Sequence, residues 1–365
     1  MLATDALKEA HRLMTVCNSC RYCEGLCAVF PAMEARHTFA QSDLDYLANL
    51  CHGCGACYDA CQFSPPHDFN VNVPATLAQL RSESYARYAW PPLAARLFHR
   101  NGTAIAIIAA ASVATFLFCF SVASKSAPTF AQAHHVSFYR PMPHSVMVLV
   151  FGGAFLYALL ALATGVRHFW VDIGAAVPRP DRKAIWQAVR DAGRLRYLDG
   201  GGVGCASPED SIDSRRPAHH MVFYGFLLCF ASTAVATLYH YVLGRDAPYP
   251  WYDIPVVLGT LGGGGLVAGS VVLFRTKATR DPLLADAGAR GMEAAFLLML
   301  LLTGISGLVL LLLRNTAALA VLLPLHLGFV FAFFITMPYG KFVHGLYRFV
   351  ALVHHAREQV LENRA

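Results

Sequence analysis

Six long apolar stretches interrupt an otherwise mixed chain, near residues 103–123, 145–165, 220–242, 255–274, 292–313 and 318–342. Each is almost free of charged side chains and long enough to cross roughly 30 Å of hydrocarbon as a helix. The pattern predicts six membrane-spanning helices. The fourth is the least regular, because Gly259 and Gly262 to Gly265 lower helix propensity, although glycines in a membrane helix allow close helix packing. Ahead of these spans the pattern changes. Residues 1–16 place charged and apolar side chains at helical spacing, with neither an apolar core nor a cleavage site, which predicts a short amphipathic helix and not a signal peptide. Residues 28–50 have room for one or two short helices, and residues 75–90 read as a helix after the breaks at Pro65, Pro66 and Pro74. Its Tyr85, Tyr88 and Trp90, with Arg81 and Arg87, suit a membrane interface. Pro91 and Pro92 mark a boundary between residues 1–92 and a membrane domain over 93–365.

Composition supports this division. The 365 residues are 56% hydrophobic and only 14% charged, with a mean hydropathy of +0.44, a balance foreign to a soluble protein. The net charge of +6 does not point to nucleic acid, because the basic residues sit in loops beside apolar spans. Their placement predicts an orientation. Segment 166–218 carries Arg167, Arg179, Arg182, Lys183, Arg190, Arg194, Arg196, Arg215 and Arg216, and the segment after the fourth span adds Arg275, Lys277, Arg280 and Arg290. The other loops hold only Lys125 and Arg140, Arg245, and Arg314. By the positive-inside rule both termini face the cytoplasm, and the expected location is the bacterial inner membrane. Residues 180–198 form an amphipathic surface helix with Ile185, Trp186, Val189 and Leu195 against a basic face, suited to lipid headgroups or to the N-terminal domain.

Eight of the eleven cysteines fall in two copies of one pattern, Cys17, Cys20, Cys23, Cys27 and Cys51, Cys54, Cys57, Cys61. Each copy reads C-x2-C-x2-C-x3-C, the spacing by which bacterial ferredoxins hold [4Fe-4S] clusters. Zinc would strand half of each run, and a disulfide framework suits a small secreted domain. In two-cluster ferredoxins the fourth ligand crosses over. By that precedent Cys17, Cys20, Cys23 and Cys61 hold one cluster, and Cys51, Cys54, Cys57 and Cys27 the other. Gly25, Gly53, Gly55 and Ala56 keep the intervening backbone slim. Proline does not follow the fourth cysteine directly, a departure from the ferredoxin pattern. Cys119 and Cys229 lie in apolar spans as packing residues, and Cys205 has no evident function. The expected fold is mainly α: a two-cluster ferredoxin-like helical domain followed by a six-helix, cytochrome-b-like membrane bundle.

Histidines stand out in spans nearly devoid of other ionisable groups. The third span begins at His219-His220 and ends near His240; the sixth contains His326 and ends at His344. Separations of 20 and 18 residues correspond to about 30 and 27 Å of helix. With the two helices antiparallel, His220 and His344 share the inner level, and His240 and His326 the outer one. That is the requirement for two bis-histidine haems stacked across a bilayer. Histidines at helix ends are also common interfacial residues, which leaves one haem or none as alternatives, and His219 could replace His220. Without a C-x2-C-H sequence any haem is non-covalent b type. His99, His134, His135, His144, His168, His354 and His355 read as surface residues.

No stretch offers a substrate site. The glycine cluster at 198–205 lacks both the G-x-G-x-x-G spacing and a following helix, so it is no dinucleotide loop. Electrons must therefore come from a separate protein. A soluble flavoprotein docked on the cytoplasmic face, with membrane quinone as acceptor, is the expectation. Tyr239, Tyr241, Tyr339, Lys341 and His219 are eligible to line a quinone site. Two alternatives are a quinol-oxidising subunit feeding a cytoplasmic reductase and a membrane-bound iron–sulfur redox sensor.

The cysteine pairs, the six spans and the segments HHMVFYGFLLCF, ATLYHYVL and MPYGKFVHGLYRF together resemble the tricarballylate/citrate-utilisation protein B family. The chain is similar, too, to the C-terminal half of the cobalamin-biosynthesis protein CobZ, and its membrane part looks like the gamma subunit of respiratory nitrate reductase, whose fold carries two b haems. The resemblance covers nearly the whole chain. It implies a membrane electron carrier with iron–sulfur clusters and b haem that reoxidises an FAD-dependent tricarballylate dehydrogenase.

Overall fold

A computed structural model describes residues 4–98, 101–125, 143–174, 182–198 and 215–362. The described residues of the N-terminal region form five helices, α1 (Asp5–Cys20), α2 (Val29–Glu34), α3 (Gln41–Leu50), α4 (Ala56–Asp59) and α5 (Val73–Tyr88). The Thr4 side chain caps α1 by accepting from the Leu7 amide at 3.2 Å. Ala6, Ala10, Leu13 and Met14 form the buried face of α1, while Cys17 and Cys20 occupy its last turn. Pro74 sits in the first turn of α5, where a missing N–H leaves no bond unmade. The aromatic residues of α5 do not face lipid. Tyr85 and Tyr88 are buried, their rings 5.8 Å from Tyr347 and 5.2 Å from Phe169, because the C-terminal part of the chain folds back over them.

The membrane part consists of α6 (Asn101–Lys125), α7 (His144–Gly174), α8 (Arg182–Gly193), α9 (Arg215–Leu243), α10 (Ile254–Thr279), α11 (Arg290–Leu312), α12 (Leu319–Thr336) and α13 (Val343–Glu362). Six of these, α6, α7, α9, α10, α11 and α12, are long and apolar enough to cross a membrane. The glycine-rich α10 is unbroken and packs along α9. A Cβ on Gly225 would lie 2.9 Å from the Gly262 carbonyl oxygen, and one on Gly262 would lie 2.8 Å from the Cys229 amide nitrogen. The glycines therefore set a backbone-to-backbone crossing that any side chain would force apart. On the other side α12 packs against α6 and α11.

α12 ends at Thr336, and a 3-10 turn at Met337–Tyr339 leads past Gly340 into α13. This last helix leaves the apolar bundle and runs between α3, α7 and α8. It buries Val343, Tyr347, Val350, Ala351, His354 and His355. Glu358 fixes its far end, accepting from Arg36 at 2.6 Å and from the Tyr46 hydroxyl at 2.8 Å. His354 and His355 are thus interior residues and not surface ones; the His354 ring lies 4.5 Å from that of Tyr46. α8 buries Ala184 and Ala188 against α13 and leaves Ile185, Trp186 and Val189 exposed. It docks on the protein through its small residues and keeps its bulky apolar stripe outward. His99, His134, His135 and the glycine cluster with Cys205 lie outside the described residues.

Candidate functional site

The eight cysteines surround two cavities. One is lined by Cys17, Cys20, Cys23 and Cys61, with Val16, Tyr22, Phe30, Phe63 and Val71. The other is lined by Cys27, Cys51, Cys54 and Cys57, with Val29, Phe30, Leu50 and Tyr197. Each cavity takes three cysteines from one run and the fourth from the other. Among the described residues no three His, Cys, Asp or Glu side chains converge on a single metal ion. Four thiols spread around a cavity are instead the donor set of a four-iron cube, which holds its thiolates further apart than one ion does. Gly53 at φ +61° and Gly55 at φ +99° carry the second loop through backbone conformations open to glycine. As free thiols Cys17 and Cys23 hold their protons: burial pushes Cys17 up to about 12 and Cys23 up to about 11. Iron binding there must release protons. The two sites differ in depth. Cys20 is exposed and Tyr22 beside it is 70% exposed, whereas Cys51 is buried.

The buried loop is held by arginines from four elements. Arg81 of α5 donates to the Cys51 carbonyl at 2.6 Å, and Arg348 of α13 donates to the same oxygen at 2.9 Å. Arg215 at the start of α9 donates to the His52 carbonyl at 3.2 Å, and Arg280 after α10 donates to Gly53 at 2.5 Å. Leu284 packs on Gly55, where a Cβ would lie 2.9 Å from its Cδ1. Burial, reinforced by Arg81, pulls the Arg348 guanidinium down to about 10, which leaves it charged at neutral pH. Burial and the same arginines keep His52 well below its usual value and neutral. Arg215 and Arg280, one from each strongly basic segment, therefore lie at the cluster-domain end of the described residues.

Arg215 stands one helical turn before His219, and Arg348 one turn after His344. These two histidines face each other, with ring centres 6.2 Å apart and planes at 73°. Two imidazole nitrogens each about 2 Å from one metal put their ring centres roughly 6 Å apart. The His344 Nδ1–H donates to the Lys341 carbonyl, leaving Nε2 as its ligating nitrogen. Burial, then Lys341 and Arg348, holds His344 well below its usual value, so its ring is neutral. His219 Nδ1 is buried with no hydrogen-bond partner, an arrangement that is costly unless another group engages the ring. The residues present fit a bis-histidine iron at this end.

The remaining histidines go elsewhere. His220, one position round the helix, turns toward Tyr224 at 5.7 Å. His240 stacks on His144 at 3.8 Å and donates to Asp246 at 2.6 Å. His326 bonds Ser306 of α11 at 2.9 Å and lies over Gly307, whose Cβ would sit 3.0 Å from its ring. Among the described residues no ring contact joins His240 to His326. The physical reason is lateral: α9 pairs with α10, while α12 lies on α6 and α11. α12 also ends at Thr336, so His326 and His344 lie on different helices and their separation in sequence does not measure depth along one axis. His168 is exposed. Of the residues eligible for quinone, Tyr239 donates to Asp253 at 3.3 Å, Tyr339 donates to the Trp90 carbonyl at 3.0 Å, and Lys341 donates to Glu293 at 2.6 Å. Tyr241 is exposed. His219, Tyr339 and Lys341 lie near His344 at the cluster-domain end, whereas Tyr239 and Tyr241 lie at the far end of α9.

Comparison with known proteins bears on the whole chain. The description "Citrate utilization protein B" matches residues 95–365, and its Fer4-like domain matches residues 10–87. The chain belongs to the citrate utilization protein B family. A curated member from Escherichia coli is 45% identical over 362 residues, covering 98% of this chain and 94% of the relative. No solved structure matches. The family's Fer4-like match spans both cysteine runs, which makes iron–sulfur chemistry the natural use of the two cavities. Sequence reasoning counted Arg215 and Arg280 only as topology markers and gave Arg348 no role. The available signal was the spacing of Arg215 and Arg348, each four residues from a span histidine.

Proposed function

We propose that this chain is a membrane-bound electron carrier of organic-acid utilization. It accepts electrons from a flavin-dependent dehydrogenase, of the tricarballylate or citrate type, and delivers them to membrane quinone. The family's citrate-utilization name and Fer4-like domain support the pathway class. The observation that carries the electron-transfer reading is continuity. Arg215 and Arg348 tie the loop bearing Cys51 to the helices bearing His219 and His344.

When bound, two [4Fe-4S] clusters and a b haem would supply one-electron carriers between a two-electron flavin and quinone. Cys17, Cys20, Cys23 and Cys61 hold the first cluster at the exposed edge, where Cys20 and Tyr22 meet a soluble partner. Cys27, Cys51, Cys54 and Cys57 hold the second against the membrane part. His219 and His344 hold the haem iron at the near end of the bundle. The basic segments support a cytoplasmic position for that end and for the cluster domain, at the bacterial inner membrane. The chain's own residues bind, space and desolvate the carriers, and substrate oxidation belongs to the flavoprotein.

The test is turnover of the flavoprotein with membranes from cells lacking this chain. Loss of turnover, restored by the wild-type chain, is the expected result; unimpaired turnover would contradict the assignment.

A further inference from the structure

The two cysteine sets differ in what lies behind their ligand loops, since no charged side chain lines either cavity itself. The neighbouring Arg21 is exposed and donates to the Asn18 carbonyl at 3.1 Å, its charge screened by water. The loop of Cys51, His52 and Gly53 instead accepts from four guanidinium groups, those of Arg81, Arg348, Arg215 and Arg280. A Cβ on Gly53 would lie 3.7 Å from Arg280 Nη2 and 4.0 Å from Arg81 Nη2, so these charges crowd the ligand loop itself. Among the described residues no salt bridge joins Arg81, Arg280 or Arg348 to a carboxylate. The nearby acid Glu293 is taken by Lys277 and Lys341. Asp59, whose Oδ2 lies 3.9 Å from a Cβ on Gly55, is exposed to water, so the guanidinium groups of Arg81, Arg280 and Arg348 dominate the buried side of the loop.

We propose that this arginine cage makes the cluster on Cys27, Cys51, Cys54 and Cys57 the higher-potential of the two, and so the second carrier in line. The inference rests on the two-cluster reading above. Reduction adds one electron to an already anionic cluster and transfers no atom. Burial alone disfavours that added charge; fixed cations beside the ligand loop favour it. The His52 carbonyl that accepts from Arg215 belongs to the peptide whose Gly53 N–H donates to Cys51 Sγ at 3.3 Å, so polarising that peptide acts on a ligand sulfur. With both clusters bound, an electron would pass from the one held by the Cys17 set to the one held by the Cys51 set, which lies nearer His219 and His344. Arg81, Arg215, Arg280 and Arg348 are positioning residues that act through the loop and its field.

Redox titration followed by electron paramagnetic resonance on the anaerobically purified full chain tests this. Cys20→Ser and Cys54→Ser variants assign each signal to its site. The Cys51-set signal should titrate at the higher potential. Arg348→Gln, which keeps a donor but removes the charge, should shift that midpoint negative and leave the Cys17-set midpoint in place; Arg348→Lys should restore it. Arg280→Gln, in a loop outside the bundle, gives the same reading should Arg348→Gln fail to fold. A Cys51-set signal at the lower potential, or midpoints indifferent to both substitutions, would overturn the proposal. Iron and sulfide analysis of the same samples separates the two failures. Fewer than two clusters per chain contradicts the underlying reading, and two clusters in reverse order contradicts the cage alone.

Discussion

The ring of His219 lies 6.2 Å from that of His344, and the residue one turn away from each, Arg215 and Arg348, donates to the loop that carries Cys51 and His52. The same two helices therefore present a metal-competent histidine pair on one turn and clamp the cluster loop on the next. A change at either histidine should read out in haem and not in iron–sulfur content.

His219→Ala and His344→Ala are each expected to remove b haem from the purified protein while both clusters remain. His220→Ala should keep the haem, because His220 turns toward Tyr224. His326→Ala should keep it as well and cost only packing against Ser306 and Gly307. Reduced-minus-oxidised spectra beside iron and sulfide assays check all four. Loss of haem in the His326 variant would mean that a second site exists.

The crossed arrangement of cysteines is testable in pairs. Cys27→Ser should abolish the same paramagnetic signal as Cys54→Ser, and Cys61→Ser the same signal as Cys20→Ser, since each pair lines one cavity. Pairing by run, with Cys27 grouped with Cys20, would contradict the geometry.

Much of this was legible in the chain. Cysteine spacing states the cluster chemistry directly, because the ligands are close in sequence. The six spans follow from length and apolarity, which need no knowledge of neighbours. Which histidine faces which was not legible. His219 and His220 differ by about 100° around one helix, and only the packing of α9 tells which side is inward. Rise per residue measures depth only along an unbroken helix, and the turn between α12 and α13 puts His326 and His344 on separate ones. The burial of His354 and His355 was hidden for a related reason: α13 packs on α3, α7 and α8, all far earlier in the chain, with His354 on Tyr46 and His355 on Tyr197.

The α9–α10 crossing depends on the absence of side chains. Gly262→Leu should destabilise the protein by about 1–3 kcal/mol or more, because its Cβ would already meet the Cys229 backbone at 2.8 Å. Gly264→Leu is the control, as nothing lies within 4 Å of its Cβ position. Thermal unfolding in detergent should separate the two variants, and equal melting temperatures would count against a close crossing.

Docking of α13 should be acid-labile. Burial, with Arg36 and Arg357 nearby, pulls His354 down to about 4, whereas an unfolded histidine titrates near 6.5. The folded state therefore binds fewer protons than the unfolded one across that window. The contribution is fully present above about pH 6.5 and is lost as pH falls toward about 4, on the order of 2–3 kcal/mol in all. His354→Phe should flatten the pH dependence of unfolding between those limits; an unchanged slope would place the acid-sensitive group elsewhere.

The measurement that bears most directly on the whole account is the cofactor content of the full chain, purified in detergent without oxygen. Two four-iron clusters and one bis-histidine b haem per chain are expected, with the haem lost on substitution of His219 or His344. Clusters without haem would contradict the electron path through the bundle and leave the six helices as an anchor for the cluster domain.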